Sequence, residues 1–193
     1  MARINIPQFL IPEEADRLIS IPNLRYPTGI RNHFLIRFLL GTGLRCSEAL
    51  AVRVSDLDLK NNRVVVRNGK RRKGEKKPRT RVVSLSRALT DALELYLSKR
   101  PWDSEFLFST ADGKALKDSY VRAMLARYGQ RANIPQRVHP HLLRHSFATM
   151  CYDLGVDLSV IQSQLGHDRL TTTAIYAHAS GRHVQEQVAG LPF

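Results

Sequence analysis

A chain of 193 residues, 43% of them hydrophobic, can bury a core of ordinary size, which excludes a disordered polymer. Thirty Lys and Arg against 17 Asp and Glu leave a formal charge of +13, so a polyanion is the expected partner, nucleic acid first. No apolar run approaches the ~20 residues that span a bilayer, and the opening "MARINIPQFLIPEE" does not have the pattern of a secretory signal.

Pro12, Glu13 and Glu14 open a short helix to about Ser20, with proline in the first turn and acids at the positive end of the dipole. "PNLRYPTG" is predicted as a loop. "IRNHFLIRFLLGTG" has helical apolar spacing and stops at glycines. A further short helix, "CSEALAVRV", is predicted after Arg45. The pattern then changes. "NNRVVVRNG" and "RTRVVSLS" are β-branched and bounded by turn residues, as two strands of a hairpin would be. Helices resume with "SRALTDALELYLSKR", "EFLFS" is a short extended piece, and "KDSYVRAMLARYGQRA" is helical. "HLLRHSFATMCYDLG", "LSVIQSQLGH" and "TTTAIYAHA" complete the chain before its tail. The predicted fold is α+β and mostly helical, with a small antiparallel β-hairpin or sheet. Cys46 and Cys151 both lie in apolar helical contexts and are too few for a disulfide framework, so buried thiols in a reducing compartment are expected.

The hairpin carries a dense charge. From Lys60 to Arg81 there are eleven Lys or Arg and one acid, Glu75. A solvated loop is the plain explanation of most charge runs. Here a short hairpin holds like charges close, and an anion that offsets their repulsion is the simpler account. Arg71, Arg72, Lys73, Lys76 and Lys77 at the tip are the expected phosphate contacts. A membrane binder would set such residues beside an exposed apolar helical face, and this run lies elsewhere.

Titratable groups crowd the segment from His139 to Met150, "HPHLLRHSFATM". Helical spacing brings His141, Arg144 and His145 together where a helix begins, with Pro140 fixing the entry. Free backbone N–H groups there favour an anion, while Leu142, Leu143 and Phe147 face the core. A metal would need His139, His141 or His145 with a further ligand such as His167. The cationic Arg144 inside the set, and the lack of a neighbouring carboxylate or thiol, argue against it. In "GTGLRCSEAL", Arg45 stands at a helix start, where Glu48 one turn on can hold it; the alternative is an ordinary surface pair. "LGHDRLTTTAIYAH" places His167 after a helix-ending Gly166 and carries Tyr176, a residue type that is usually half-buried packing.

Together "TGLRCSEAL", the hairpin, "HPHLLRHSFAT" and "LGHDRLTTTAIYAH" resemble the tyrosine recombinase, or phage integrase, family in order and spacing, over roughly Pro12 to His178. The resemblance implies that Arg45 and Arg144 clamp a phosphate, that His141 and His167 are catalytic histidines, and that Tyr176 is the nucleophile. It implies that Glu48 supports the first arginine and that His145 is supporting. It implies a catalytic lysine in the hairpin turn, for which Lys70 is the expected residue and Lys73 the alternative. It implies metal-free cleavage and rejoining of double-stranded DNA through a 3′-phosphotyrosyl link, without a cofactor. A homo-oligomer, dimer to tetramer, is expected on DNA through the C-terminal tail, in the cytoplasm of a prokaryote or with a phage or mobile element. The family's N-terminal core-binding domain is expected to be absent, with residues 1–193 forming a single catalytic domain. A DNA-binding regulator without turnover and a relaxing topoisomerase are the competing functions. The full set of Arg45, His141, Arg144, His167 and Tyr176 disfavours the regulator, because a binder does not need the phenol.

Overall fold

The computed structural model describes residues 8–67 and 80–166. Helix α1, Pro12–Ser20, starts with proline at its first position, and the Glu14 carboxylate accepts from the Ile11 N–H at 3.2 Å. Its Ala15 and Leu18 face α2, Pro27–Thr42. Helix α2 begins earlier than its apolar spacing predicts. Pro27 takes the first helical position, where its missing N–H costs nothing, and draws Thr28 and Gly29 into the first turn. The helix then runs through the core, with Phe34, Leu35, Ile36, Phe38 and Leu39 all buried. It ends on Gly43 at φ 63°, the left-handed turn that glycine takes without penalty.

Helix α3, Cys46–Ala51, is shorter than predicted. The Leu107 N–H donates to Val52 O at 2.8 Å and the Val54 N–H to Glu105 O at 2.9 Å. The predicted extended piece "EFLFS" thus pairs with residues that local propensity assigned to the helix, and tertiary pairing wins over propensity. Among the described residues the sheet has three strands, one more than the predicted hairpin. Strand β1, Leu57–Asp58, pairs antiparallel with β2, Arg63–Arg67, which pairs antiparallel with β3, Thr80–Ser84. Val64 lies opposite Val83, and both are fully buried. A strand as short as β1 has no alternation to detect.

Helix α4, Arg87–Lys99, is capped by the Ser86 hydroxyl, which accepts from Leu89 N–H at 3.2 Å. Its Tyr96 packs between Phe34 at 5.0 Å and Phe108 at 5.3 Å, and Phe108 meets Phe38 at 5.5 Å. Each such buried side chain contributes about 1.5–3 kcal/mol of transfer free energy. Helix α5, Asp118–Arg131, and helix α6, Pro140–Asp153, close the other side of α2 and α3. The Ser146 hydroxyl on α6 accepts from the Leu10 N–H at 2.8 Å and so fixes the segment before α1. Helix α7, Leu158–Leu165, starts with the Asp157 carboxylate accepting from Ser159 N–H and stops at Gly166, φ 67°. Ala148, Ile161 and Leu165 form a small second core between α6 and α7. Among the described residues no helix is long and apolar enough to cross a membrane.

Candidate active site

Two helix ends and one helix start meet here. Helix α2 stops at Gly43, and Arg45 two residues later caps the start of α3. Gly43 is required by space as well as by its angle. A Cβ there would lie 2.3 Å from Phe147 Cδ1 and 2.7 Å from Leu165 Cδ2. The Arg45 side chain is 41% exposed, whereas Glu48 is buried. Glu48 accepts from the Arg45 backbone N–H at 3.0 Å and from its guanidinium Nη1 at 3.1 Å. The pair is therefore not a surface pair of small worth. Its carboxylate is desolvated and needs the cations around it.

A second cation meets that need, and it comes from the strand. Arg81 on β3 donates Nη1 to Glu48 Oε1 at 2.9 Å and Nη2 to Glu48 Oε2 at 3.0 Å, a two-pronged contact. Burial alone would raise the Glu48 pKa. The hydrogen bonds and charges of Arg81 and Arg45 outweigh it and hold the carboxyl below its ordinary range. The Arg81 guanidinium also donates to Leu165 O at 3.2 Å and Gln164 O at 3.4 Å, at the end of α7. Spacing could have revealed this residue. Arg81 lies two positions from buried Val83, hence on the inner face of β3.

Arg144 is buried on α6. Its Nη1 donates to Gly43 O at 2.8 Å and its Nη2 to Leu165 O at 3.0 Å. Both acceptors are carbonyls at helix C-termini, where partial negative charge collects. Such dipoles orient the guanidinium without cancelling its charge. The network therefore links Arg45, Glu48, Arg81 and Arg144, and Arg81 and Arg144 share the carbonyl of Leu165.

The histidines divide their tasks. His139 caps α6, its Nδ1 accepting from the Leu142 N–H at 3.3 Å, so one of the backbone donors expected to face an anion is already used. His141 is exposed, with its ring 6.4 Å from that of His139. His145 is half-buried one turn further along. Leu142 and Leu143 face the main core as expected, and Phe147 packs into the second. Of the cysteines, Cys46 is buried and Cys151 partly so. Burial pushes the Cys46 thiol up, and so does its hydrogen bond with Asp118 at the start of α5. Burial would raise the Asp118 pKa in turn, but Cys46, Arg122 and His141 bring it below its ordinary range. Among the described residues no group of three or more His, Cys, Asp or Glu is placed to hold a metal ion. Lys70, Arg71, Arg72, Lys73, Lys76, Lys77, His167 and Tyr176 lie outside the described residues.

The imidazoles set a pH dependence. Burial holds His33, His139 and His145 below the ordinary imidazole value of 6.5, with help from Arg37 at His33, from His141, Arg137 and Arg122 at His139, and from His141 and Arg144 at His145. For His33 a contact with Ile19 O pulls the other way and is outweighed. The unfolded chain then binds more protons than the folded one below that value. Their contribution is complete above about pH 6.5 and is lost as pH falls toward the lowered folded values. The denaturant midpoint is expected to be lower at about pH 5.5 than at about pH 7.5. A midpoint that is equal or higher at the acid pH would contradict this assignment.

Solved structures share this arrangement of elements. A crystal structure of the XerA recombinase superposes with a TM-score of 0.80 at 31% identity, covering 95% of this chain and 65% of that one. A XerH site-specific recombinase bound to its palindromic difH substrate, in a post-cleavage complex, superposes with a TM-score of 0.78 at 28% identity, over 96% of this chain and 53% of the other. The architecture is that of a tyrosine recombinase catalytic domain. The description of the phage integrase family matches residues 8–183, and the chain belongs to that family. It is 36% identical over 183 residues to tyrosine recombinase XerC of Oceanobacillus iheyensis, which covers 94% of this chain and 60% of the relative. The chain thus spans about 60% of the length of the curated relatives it matches.

Proposed function

We propose that this chain is the catalytic part of a site-specific DNA recombinase that cuts and rejoins strands through a covalent tyrosyl link. The observation that carries the reading is the pairing of Arg45 and Arg144. Arg45 stands in the short turn after α2 and is held by the Glu48 carboxylate, while Arg144 reaches the same turn at Gly43 O and the end of α7 at Leu165 O. Two guanidinium forks at one place suit a phosphodiester whose oxygens gain charge in the transition state. Membership of the phage integrase family and the likeness to recombinases solved with DNA support it.

The Tyr176 oxygen attacks phosphorus and the bond from phosphorus to the 5′ oxygen breaks, leaving a 3′-phosphotyrosyl enzyme and a free 5′ hydroxyl. A phenol of pKa about 10 must lose its proton on the way, with His141 as base or hydrogen-bond partner. Lys70, or Lys73 in its place, protonates the departing oxygen, and His167 bonds the phosphoryl group. The reverse attack by a 5′ hydroxyl from another duplex reseals the strand. The covalent link retains the bond energy, so no ATP is required, and two guanidinium forks stabilise the phosphoryl charge without a metal. The experiment is a covalent trap. The chain is incubated with nicked duplex carrying a candidate site and then denatured. A protein–DNA adduct that survives is the expected result. Binding without adduct would leave the regulator, and adduct with relaxation but no exchange between duplexes would leave the topoisomerase.

We place the basic hairpin tip on the DNA backbone and the tail after Gly181 on a neighbouring protomer. A salt titration on DNA checks the first and the mass of the complex on DNA checks the second. The log–log slope of affinity against salt is about −0.9 per phosphate neutralised, so removing charge at Arg71, Arg72, Lys76 and Lys77 together is expected to flatten it. Ending the chain after Ser180 is expected to leave the slope and lower the mass of the complex on DNA. An unchanged slope in the first variant, or unchanged mass in the second, removes the corresponding contact.

A further inference from the structure

Arg81 belongs by sequence to the basic run of the hairpin, yet its side chain turns away from solvent and is 15% exposed. We infer that Arg81 is a positioning residue of the strand-transfer site, holding Arg45 and the end of α7 in one fixed relation. The inference rests on the recombinase reading for its catalytic consequence and on geometry alone for the coupling.

Three contacts define the coupling. The Arg81 fork covers both oxygens of Glu48, and the same carboxylate fixes the Arg45 guanidinium and backbone. With Arg81 in place Glu48 has little freedom to rotate, so Arg45 has one orientation. The other side of the fork meets the carbonyls of Gln164 and Leu165, and the Leu165 carbonyl also receives Arg144. Beside it the Gln164 side chain is stapled to β3, its Nε2 donating to Ser84 O at 2.6 Å and its Oε1 accepting from Ser84 N–H at 3.1 Å. Space is already filled. A Cβ on Gly166 would lie 2.8 Å from Arg81 Cζ. Gly166 is the residue before His167, so the strand arginine sits where α7 hands the chain to the proposed second histidine.

A bystander that merely fills space would not behave as follows. Among the described residues, the charged groups that act on the Glu48 carboxylate are Arg81 on β3 and Arg45 at the start of α3. Removing Arg81 takes away the two-pronged partner of a buried carboxylate, so its titration must move to higher pH.

The test uses the full chain with Arg81→Gln and Arg81→Lys. Adduct formation at saturating nicked DNA is expected to slow about 10- to 100-fold in Arg81→Gln, the usual scale for a residue that holds an active-site group in place, with DNA affinity little changed. Arg81→Lys, which keeps the charge and one donor at a time, is expected to recover part of the rate. Combining Arg81→Gln with Glu48→Gln should cost less than the product of the two single losses, since both act on Arg45. The Glu48 carboxyl followed by NMR should titrate higher in Arg81→Gln, and the Gly166 amide should exchange faster. An Arg81→Gln chain that cleaves at the wild-type rate, or losses that simply multiply, would overturn the inference. If Arg81→Gln does not fold, Arg81→Lys decides: a folded, fully active lysine variant with an unmoved Glu48 titration overturns it as well. Should wild type form no adduct while Glu48 and Gly166 respond, the recombinase reading fails and the coupling stands.

Discussion

Replacing Tyr176 by Phe is expected to abolish the covalent adduct. The substitution removes one oxygen and keeps the ring. The phenol oxygen is the proposed attacking atom, and no water can replace it in forming a protein–DNA bond. The loss should be on the order of 10⁴-fold or more, the scale seen when a nucleophile is deleted. DNA affinity should stay within about threefold, because contacts to many phosphates dominate it. Denaturing gels on nicked DNA read the adduct and a gel-shift titration reads the affinity. An adduct that persists in the variant would remove Tyr176 from the role.

Arg144→Lys is the second large effect. An ammonium keeps the charge but not the fork. The guanidinium spans Gly43 O at 2.8 Å and Leu165 O at 3.0 Å, on two different helices. Lysine is a compact point charge without that span. The Leu165 carbonyl keeps Arg81, but a Gly43 carbonyl left buried without a donor costs about 1–3 kcal/mol, and the head is no longer aimed at the proposed phosphate. Single-turnover cleavage should fall about 10²- to 10³-fold, as when one preorganised donor to a transition-state oxygen is lost. Thermal unfolding run in parallel separates this from instability. A variant that is folded and cleaves near the wild-type rate would mean that charge alone suffices.

What could be read in advance follows from the range of the forces involved. Helices α1, α4, α5 and α6 lie where periodicity and caps put them, because proline, acids and a serine cap act within one turn. The Arg45–Glu48 pair was legible for the same reason, being three residues apart. The early end of α3 was not, since Val52 and Val54 are claimed by residues 105–107. Nor were the contacts that hold Arg81 and Arg144. Arg81 reaches Glu48 across 33 positions and Arg144 reaches Gly43 across 101, and no local pattern reports such a meeting. The histidine-rich segment was read as one cluster, but its members separate in the structure. Arg144 turns inward, His139 serves the backbone, and His141 is exposed. His167, Tyr176 and the hairpin lysines were assigned by motif, in order and spacing, and lie outside the described residues.

Two anchors of Arg144, Gly43 O and Leu165 O, are main-chain oxygens, and a point mutation cannot delete a carbonyl. Genetic drift at Leu165 can alter the side chain and still leave the acceptor where it is. The holder is thus insulated from the mutational turnover that a carboxylate anchor would face. Its vulnerability is moved to shape: to Gly43 and Gly166, whose left-handed turns set where those carbonyls point. A lineage could therefore rewrite much of the side-chain surface around this arginine and keep its aim, provided that two glycines remained.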